Sequence, residues 1–296
     1  MNQENFKKKT GIMRYTAGVI AAAMIMVSGQ TARAYASEKL QTNDPEAPRQ
    51  WGFYNDGSFA SEEMKKYPVY ADPFGQPTED SELLGVLVEV KKKNAELGVD
   101  INLESAWEKY GSGSHDTIVA MIDTGIDYNH EDLRDTLWIN TDEIPGNGID
   151  DDGNGFVDDV YGWNFYNNNN QIFSGTEDSH GTHGAGTISA GTGNGIGISG
   201  IAPGNRVRVM ALKALGGEDG GGSTLDVIKA IKYAEDNGAV ICNLSLTSMS
   251  NDKALYEAMK NSSMLFVVAA GNGSPRTGKG LNMDQIPFYP AAYDLD

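Results

Sequence analysis

Two of the chain's four histidines lie within one short stretch, Ser179-His180-Gly181-Thr182-His183-Gly184-Ala185-Gly186-Thr187. A glycine follows each histidine and small residues continue for a further turn, so a helix can begin close to other backbone with an imidazole at its start. Two more polar residues stand where apolar, strand-like runs end. Asp123 follows Thr117–Ile122, and Asn272 follows the run from Met264 to Ala270. An aspartate can orient an imidazole and stabilise its protonated form, and the imidazole can act first as base and then as acid. An asparagine amide can donate to a developing oxyanion. Together Asp123, His180 and Asn272 suggest nucleophilic acyl transfer. Singly they are weak signals, because aspartate and asparagine are common turn formers and a Gly/Ser/Thr turn before a buried helix would look much the same. A zinc reading of His180-x-x-His183 competes, but it lacks the intervening glutamate of H-E-x-x-H and no third ligand is evident.

The elements that must position these residues alternate between strand and helix. Thr117–Ile122 is a compact β-branched run of the kind buried on both faces of a sheet. Arg206 to Leu212, Ala239 to Leu246 and Met264 to Ala270 read as further strands. Between them, Ser223 to Asn237 reads as a helix with Ser223 and Asp226 as a capping pair, Leu225, Ile228 and Ile231 inward, and Gly238 past its end. Asp252 to Asn261 reads as a second, with Leu255 and Met259 inward. The expectation is an α/β fold with a doubly wound, mostly parallel sheet. Sites in such sheets lie beyond the carboxyl ends of the strands, where Asp123 and Asn272 both fall.

The 296 residues carry a formal charge of −18. Residues 1–36 read as a secretory signal peptide: Lys7, Lys8, Lys9 and Arg14, then the apolar run from Tyr15 to Val27, then Ala34-Tyr35-Ala36 before Ser37. They hold five of the basic groups and one acidic group, which leaves residues 37–296 at a formal −22. That surface repels nucleic acid and anionic lipid and favours cations. The composition therefore implies an exported protein with no membrane span after signal removal and an oligomeric state the sequence leaves open. The single cysteine, Cys242, cannot form an internal disulfide and reads as a small buried residue. Residues 37–99 read as an N-terminal arm with an insertion: loop over 55–82, then a helix over 81–97 with Leu83, Leu84, Leu87 and Val90 inward. Residues 100–296 read as the remaining domain, opening with a short helix over Leu103 to Glu108.

Asp150-x-Asp152-x-Asn154-Gly155 reproduces the start of an EF-hand calcium loop, with Asp158 at the ninth position. Tyr161 occupies the twelfth, where a bidentate glutamate is expected, so the expectation is a Ca2+ loop without the full hand. An acidic turn with no fixed ion is the alternative.

The motifs around these residues resemble the subtilisin-like serine proteases, the subtilases. Ile122-Asp123-Thr124-Gly125-Ile126-Asp127 is similar to the aspartate motif of that family, His180-Gly181-Thr182-His183 with Ala185-Gly186-Thr187 to its histidine motif, and Ala269-Ala270-Gly271-Asn272 to its oxyanion-hole motif. Gly200-Ile201-Ala202-Pro203 and Asn243-Leu244-Ser245-Leu246 match in order. The resemblance implies a subtilisin-like fold, with residues 100–296 a partial catalytic domain whose sheet is incomplete at its C-terminal end, and a secreted serine endopeptidase with a polypeptide substrate. Asp123 would be its orienting acid, His180 its base and Asn272 its oxyanion donor, with His183 structural. It also implies a cleft in which substrate backbone pairs in extended form with Gly221, Ser245, Leu246 and Gly271, and a second Ca2+ site using Asp132 and Asn194. Two departures stand out. The Gly-Thr-Ser motif that carries the family's nucleophile is absent from these residues, and Ser223, which comes before Asn272, is no substitute. Thr247 stands where many relatives have glycine. Without the nucleophile the chain itself is expected to be inactive, and a non-catalytic, calcium-dependent binding protein on the same scaffold is the alternative.

Overall fold

The structure is a computed structural model. It describes residues 42–50, 52–53, 60–70, 83–94, 100–111, 116–202, 206–217, 219–272 and 280–295, with the backbone alone over 60–70 and 83–94. The signal-peptide reading of residues 1–36 lies outside the described residues. The chain divides into two compact units, residues 1–105 and 106–296.

The first unit holds an antiparallel hairpin, β1 (Ala60–Tyr70) and β2 (Leu83–Asn94), where a loop and a helix were expected. The helical spacing of Leu83, Leu87 and Val90 lies on top of a second period. Val86, Val88 and Val90 recur at every second residue and are β-branched, which favours a pleated strand. The register sets Glu62 opposite Lys92, Glu63 opposite Lys91 and Lys65 opposite Glu89, the arrangement that favours a cross-strand pair. The charged residues are thus the register marks of a hairpin.

The second unit is built on a five-stranded parallel sheet. Its strands are β3 (Thr117–Asp123), β4 (Gly162–Asn164), β5 (Val207–Lys213), β6 (Ile241–Leu244) and β7 (Leu265–Val268), in the spatial order β4-β5-β3-β6-β7. Four α-helices, α1 (Leu103–Tyr110), α2 (Ser179–Ser189), α3 (Thr224–Asp236) and α4 (Lys253–Asn261), and two 3-10 turns, Ala47–Arg49 and Thr176–Asp178, complete the described elements. This is the doubly wound α/β arrangement that strand–helix alternation implied. From β3 the chain passes through β4 and α2 to β5 on one side, then through α3 to β6 on the other. The sheet reverses direction at β3, and Asp123 is the last residue of that strand.

Side-chain alternation divides the core into two layers. Met121, Val209 and Ala211 pack with Ala185 of α2 on one face. Ala120, Ile122, Met210 and Leu212 pack with Val227, Ala230 and Ile231 of α3, and with Leu255 and Met259 of α4, on the other. Ser223 caps α3 as expected: its hydroxyl accepts from Asp226 N–H at 3.1 Å. Leu225, expected inward, is exposed, because the buried stripe runs Val227, Ala230, Ile231, Ala234 and leaves Leu225 on the outer face. Cys242 is buried, and burial pushes its thiol up to about 12, so it carries almost no thiolate at neutral pH.

At the β7 edge the sheet changes character. Leu265 and Val267 are more than half exposed and pair with Ile241 and Asn243 of β6, on the face that α2 covers over β3 and β5. Burial therefore separates two otherwise similar apolar sites. Leu212→Ala is expected to cost about 2–5 kcal/mol and Val267→Thr about 0.5 kcal/mol or less, read from urea-unfolding midpoints.

Candidate active site

Asp123 is anchored from both ends. Its carbonyl accepts from Ala214 N–H at 3.0 Å and Leu215 N–H at 3.1 Å, which ties the end of β3 to the loop after β5. Its carboxylate is buried. Oδ1 accepts from Thr124 N–H at 2.7 Å and lies 2.8 Å from His180 Nδ1, while Oδ2 is buried without a hydrogen-bond partner. The His180 side chain is 62% exposed against 1% for Asp123. The ring thus turns Nδ1 into the protein and leaves Nε2 for whatever occupies the open side.

Missing side chains make this approach possible. A Cβ on Gly181 would lie 2.2 Å from the Gly125 carbonyl oxygen, and one on Gly125, at φ +124°, would lie 2.3 Å from the Ile172 carbonyl oxygen. Both are closer than real Cβ contacts allow, so helix and strand end meet only through glycine. Two threonines complete the seam: Gly181 N–H donates to Thr124 Oγ1 at 3.1 Å, and Asp127 N–H donates to Thr182 Oγ1 at 3.0 Å.

His180 opens onto a cleft of about 940 Å³ that Gly221, Ser245 and Leu246 also line, together with Thr247. The fourth expected cleft residue, Gly271, is not among the lining residues. It takes φ +101° just before Asn272, and both are exposed. Among the described residues no hydrogen bond joins Asn272 to Asp123 or His180, so the structure brings two of the three expected catalytic residues together. His183 lines a separate cavity of about 550 Å³ on the other side of α2, with His130 and Phe173. The two histidines of the H-x-x-H stretch do not converge, which removes the zinc reading.

The acidic loop is drawn together around a residue that the sequence did not single out. The buried Glu143 carboxylate accepts from the N–H groups of Asp151 (2.8 Å), Asp152 (3.4 Å) and Asp158 (3.0 Å). Glu143, Asp150 and Asp152 each offer a carboxylate oxygen within 4.8 Å of the others. Asn154 joins through its amide, which donates to Asp152 and Asp159 at 3.0 Å. Asp158 does not join. Its two oxygens accept from Asn147 and Gly148 N–H, at 3.1 and 3.0 Å. Behind the loop the buried Asp159 accepts from Asn140 Nδ2 at 2.8 Å and from the Tyr233 hydroxyl at 2.5 Å; burial first, and Asp159 second, hold the Tyr233 proton in place well above the usual phenol range. Asp132 and Asn194 do meet: Asn194 Nδ2 donates to Asp132 Oδ1 at 2.8 Å, and Ile198 N–H to Oδ2 at 3.0 Å.

A family model described as the subtilase family, Peptidase_S8, matches residues 114–294. The chain belongs to the subtilase family. Among curated relatives, Subtilisin-like protease 1 of Plasmodium vivax is 41% identical over 160 residues, covering 53% of this chain and 25% of that protein. The Major intracellular serine protease of Bacillus subtilis is 35% identical over 197 residues, covering 66% and 53%. This subtilase chain thus spans between a quarter and about half the length of these relatives. Among solved structures, the Aeromonas sobria serine protease in its chaperone complex aligns at a TM-score of 0.50 and 19% identity, over 78% of this chain and 32% of that one, a likeness of fold.

In this subtilase two buried charged residues lie beside the dyad. Lys213, the last residue of β5, and Asp178, just before α2, are both fully buried and paired. A lysine closing the apolar run Val209–Leu212 was the available sequence signal. Adding a methyl at Gly181 tests the seam: Gly181→Ala is expected to push α2 off the β3 end and separate His180 from Asp123, seen as loss of the hydrogen-bonded Nδ1 proton by NMR. Gly280→Ala, where an added methyl meets nothing within 4 Å, is expected to leave that proton in place.

Proposed function

We propose that these residues form part of a secreted, calcium-stabilised serine endopeptidase acting on polypeptides. The observation that carries the reading is the buried Asp123 carboxylate 2.8 Å from His180 Nδ1, with the rest of the ring open to a cleft. In this reading Asp123 holds the Nδ1–H tautomer and stabilises the imidazolium. His180 Nε2 takes the proton of a serine hydroxyl as its oxygen attacks the scissile carbonyl carbon, then gives it to the leaving amine as the C–N bond breaks. A water then releases the acyl group by the same route. Asn272 donates to the oxyanion, and Gly221, Ser245, Leu246 and Gly271 receive the extended substrate. Secretion is supported by the basic, apolar and small-residue pattern of residues 1–36.

No Gly-Thr-Ser occurs in the 296 residues, so in this reading the hydroxyl comes from outside them and the chain by itself is inactive. The bare Leu265 and Val267 face, beside α2, offers apolar surface for a further segment to cover.

Calcium would be held by oxygen donors alone, as a hard cation prefers. Asp150, Asp152 and Asn154 with Glu143 suit one ion, with Asp158 bracing the loop from outside the cluster. Asp132 and Asn194 suit a second once the Asn194 amide turns its oxygen toward Asp132. When bound, calcium supplies charge neutralisation to carboxylates that otherwise repel one another. The second reading, a non-catalytic calcium-dependent binding protein, is favoured by the same missing nucleophile.

The chain alone is expected to show no peptide hydrolysis and no labelling by a serine-directed fluorophosphonate. Extended by a segment bearing Gly-Thr-Ser, it should gain both in the presence of calcium, and His180→Ala should return turnover to background. An extended chain that folds, binds peptide and never hydrolyses it would favour the binding protein. Calcium should raise the melting temperature of the unmodified chain, and Glu143→Gln with Asp150→Asn should shrink that rise.

A further inference from the structure

Lys213 is fully buried, yet its ammonium stands where three stretches of chain meet. It faces Asp123 in the register of β3 and β5. It donates to the Thr124 carbonyl, one residue past Asp123, and to Asp178 Oδ1, two residues before His180. The Tyr166 ring closes a further side, its centroid 6.0 Å from Nζ. One cation therefore holds the backbone just after the acid and the side chain just before the base.

Asp178 ends a 3-10 turn, Thr176–Asp178, that runs into α2, and the first N–H of the helix, that of Ser179, goes to the Thr176 carbonyl. It stands at the N-cap of α2, a position where aspartate ordinarily accepts from the first free N–H groups of the helix. Here it makes no such bond. Its carboxylate goes to Lys213 and to Ser174 N–H, and its carbonyl accepts from Thr182 Oγ1 at 2.9 Å. The helix start is instead met by Thr124 Oγ1. The cap is given up to fasten α2 to the ammonium, and the fastening fixes the height and rotation of His180 over Asp123.

The charges support the same assignment. Asp123 and Asp178 are both buried carboxylates, and Lys213 is the buried cation facing them. With Lys213 bonded to Asp178, Asp123 remains the carboxylate that faces the imidazole, and a proton arriving on His180 brings the buried group to neutrality. An unpaired Asp178 beside the helix start would compete for that proton.

We infer that Lys213 and Asp178 are positioning residues for the His180–Asp123 dyad, a role that rests on the endopeptidase reading of the site. The pair holds the imidazole in the Nδ1–H tautomer at hydrogen-bond distance from Asp123 and touches no substrate itself.

The test is the charge-neutral variant Asp178→Asn with Lys213→Met in the full chain, labelled with 15N-histidine. The unmodified chain is expected to show His180 as a single Nδ1–H tautomer with a downfield, hydrogen-bonded proton. The double variant is expected to unfold cooperatively, since replacing a buried ion pair by neutral groups of similar volume is often tolerated, yet to lose that proton and show both tautomers. His130 and His183, on the other side of α2, should keep their signals. In the chain extended with the serine segment, kcat should fall about 10- to 100-fold with KM little changed, the cost of a small misplacement of a catalytic group. A folded double variant with the original His180 spectrum overturns the inference. If it does not fold, the isosteric Asp178→Asn alone decides in the same way. If neither folds, the pair is a requirement of the fold, and the positioning role is likewise overturned. Because the tautomer is read without turnover, an extended chain that never hydrolyses peptide would remove the endopeptidase reading and leave this result standing.

Discussion

Backbone lies against backbone where α2 starts over the end of β3, and the rest of the site follows from that approach. Gly181 rests on the Gly125 carbonyl, Gly125 on the Ile172 carbonyl, and no Cβ fits at either place. Only at that separation can an imidazole on the first turn of a helix reach a carboxylate at the end of a strand. The distance is then held by groups of short reach, two threonine hydroxyls and the Asp123 carbonyl shared by Ala214 and Leu215, and by the buried Lys213 ammonium. The threonines have few rotamers to lose, and the entropic cost of the seam falls mainly on the lysine.

An acidic chain must find somewhere to put its carboxylates. This one answers several of them with backbone. Glu143, Asp150, Asp158 and Asp132 all accept from main-chain N–H groups. Asp123 differs. One of its oxygens is doubly engaged and the other has no partner at all. A buried carboxylate left partly unsatisfied carries a stored electrostatic demand, and a cation forming on the adjacent ring meets it. The contrast between satisfied and unsatisfied acids distinguishes a structural carboxylate from one poised to act.

The sheet and its helices were legible because both periods are strong. β-branched runs give the strands, and Ser223 with Gly238 brackets α3. The dyad was legible because Asp123 and His180 each sit at an element boundary whose neighbours are too small to serve a core. What stayed hidden has a common cause. The hairpin of Ala60–Tyr70 and Leu83–Asn94 depends on cross-strand register, which a helical count along one strand does not see. Glu143 acts at a distance in sequence, on amides up to fifteen residues away, and no local spacing marks it. Asp158 fits the ninth place of a calcium loop by spacing, yet its backbone at φ +55° turns its carboxylate toward Asn147 and Gly148. Lys213 announced itself only as a charge at the end of an apolar strand, and its meaning appeared once Asp178 was seen to leave its helix uncapped.

The acidic loop carries one more implication, for survival among peptidases. A stretch this polar and this exposed is where nicking is ordinarily expected. Cleavage requires several residues to straighten into an extended strand with their amides free. Here the chain is wound through positive-φ turns at Gly146, Gly148, Gly153, Gly155 and Asp158. Its amides are held by side chains too: Asp150 takes those of Asn154 and Gly155, and Glu143 takes three more. Straightening any part of it means breaking most of those bonds together. The carboxylates that make the loop conspicuous to water also tie it down, and an attacking peptidase finds no loose end there to pull.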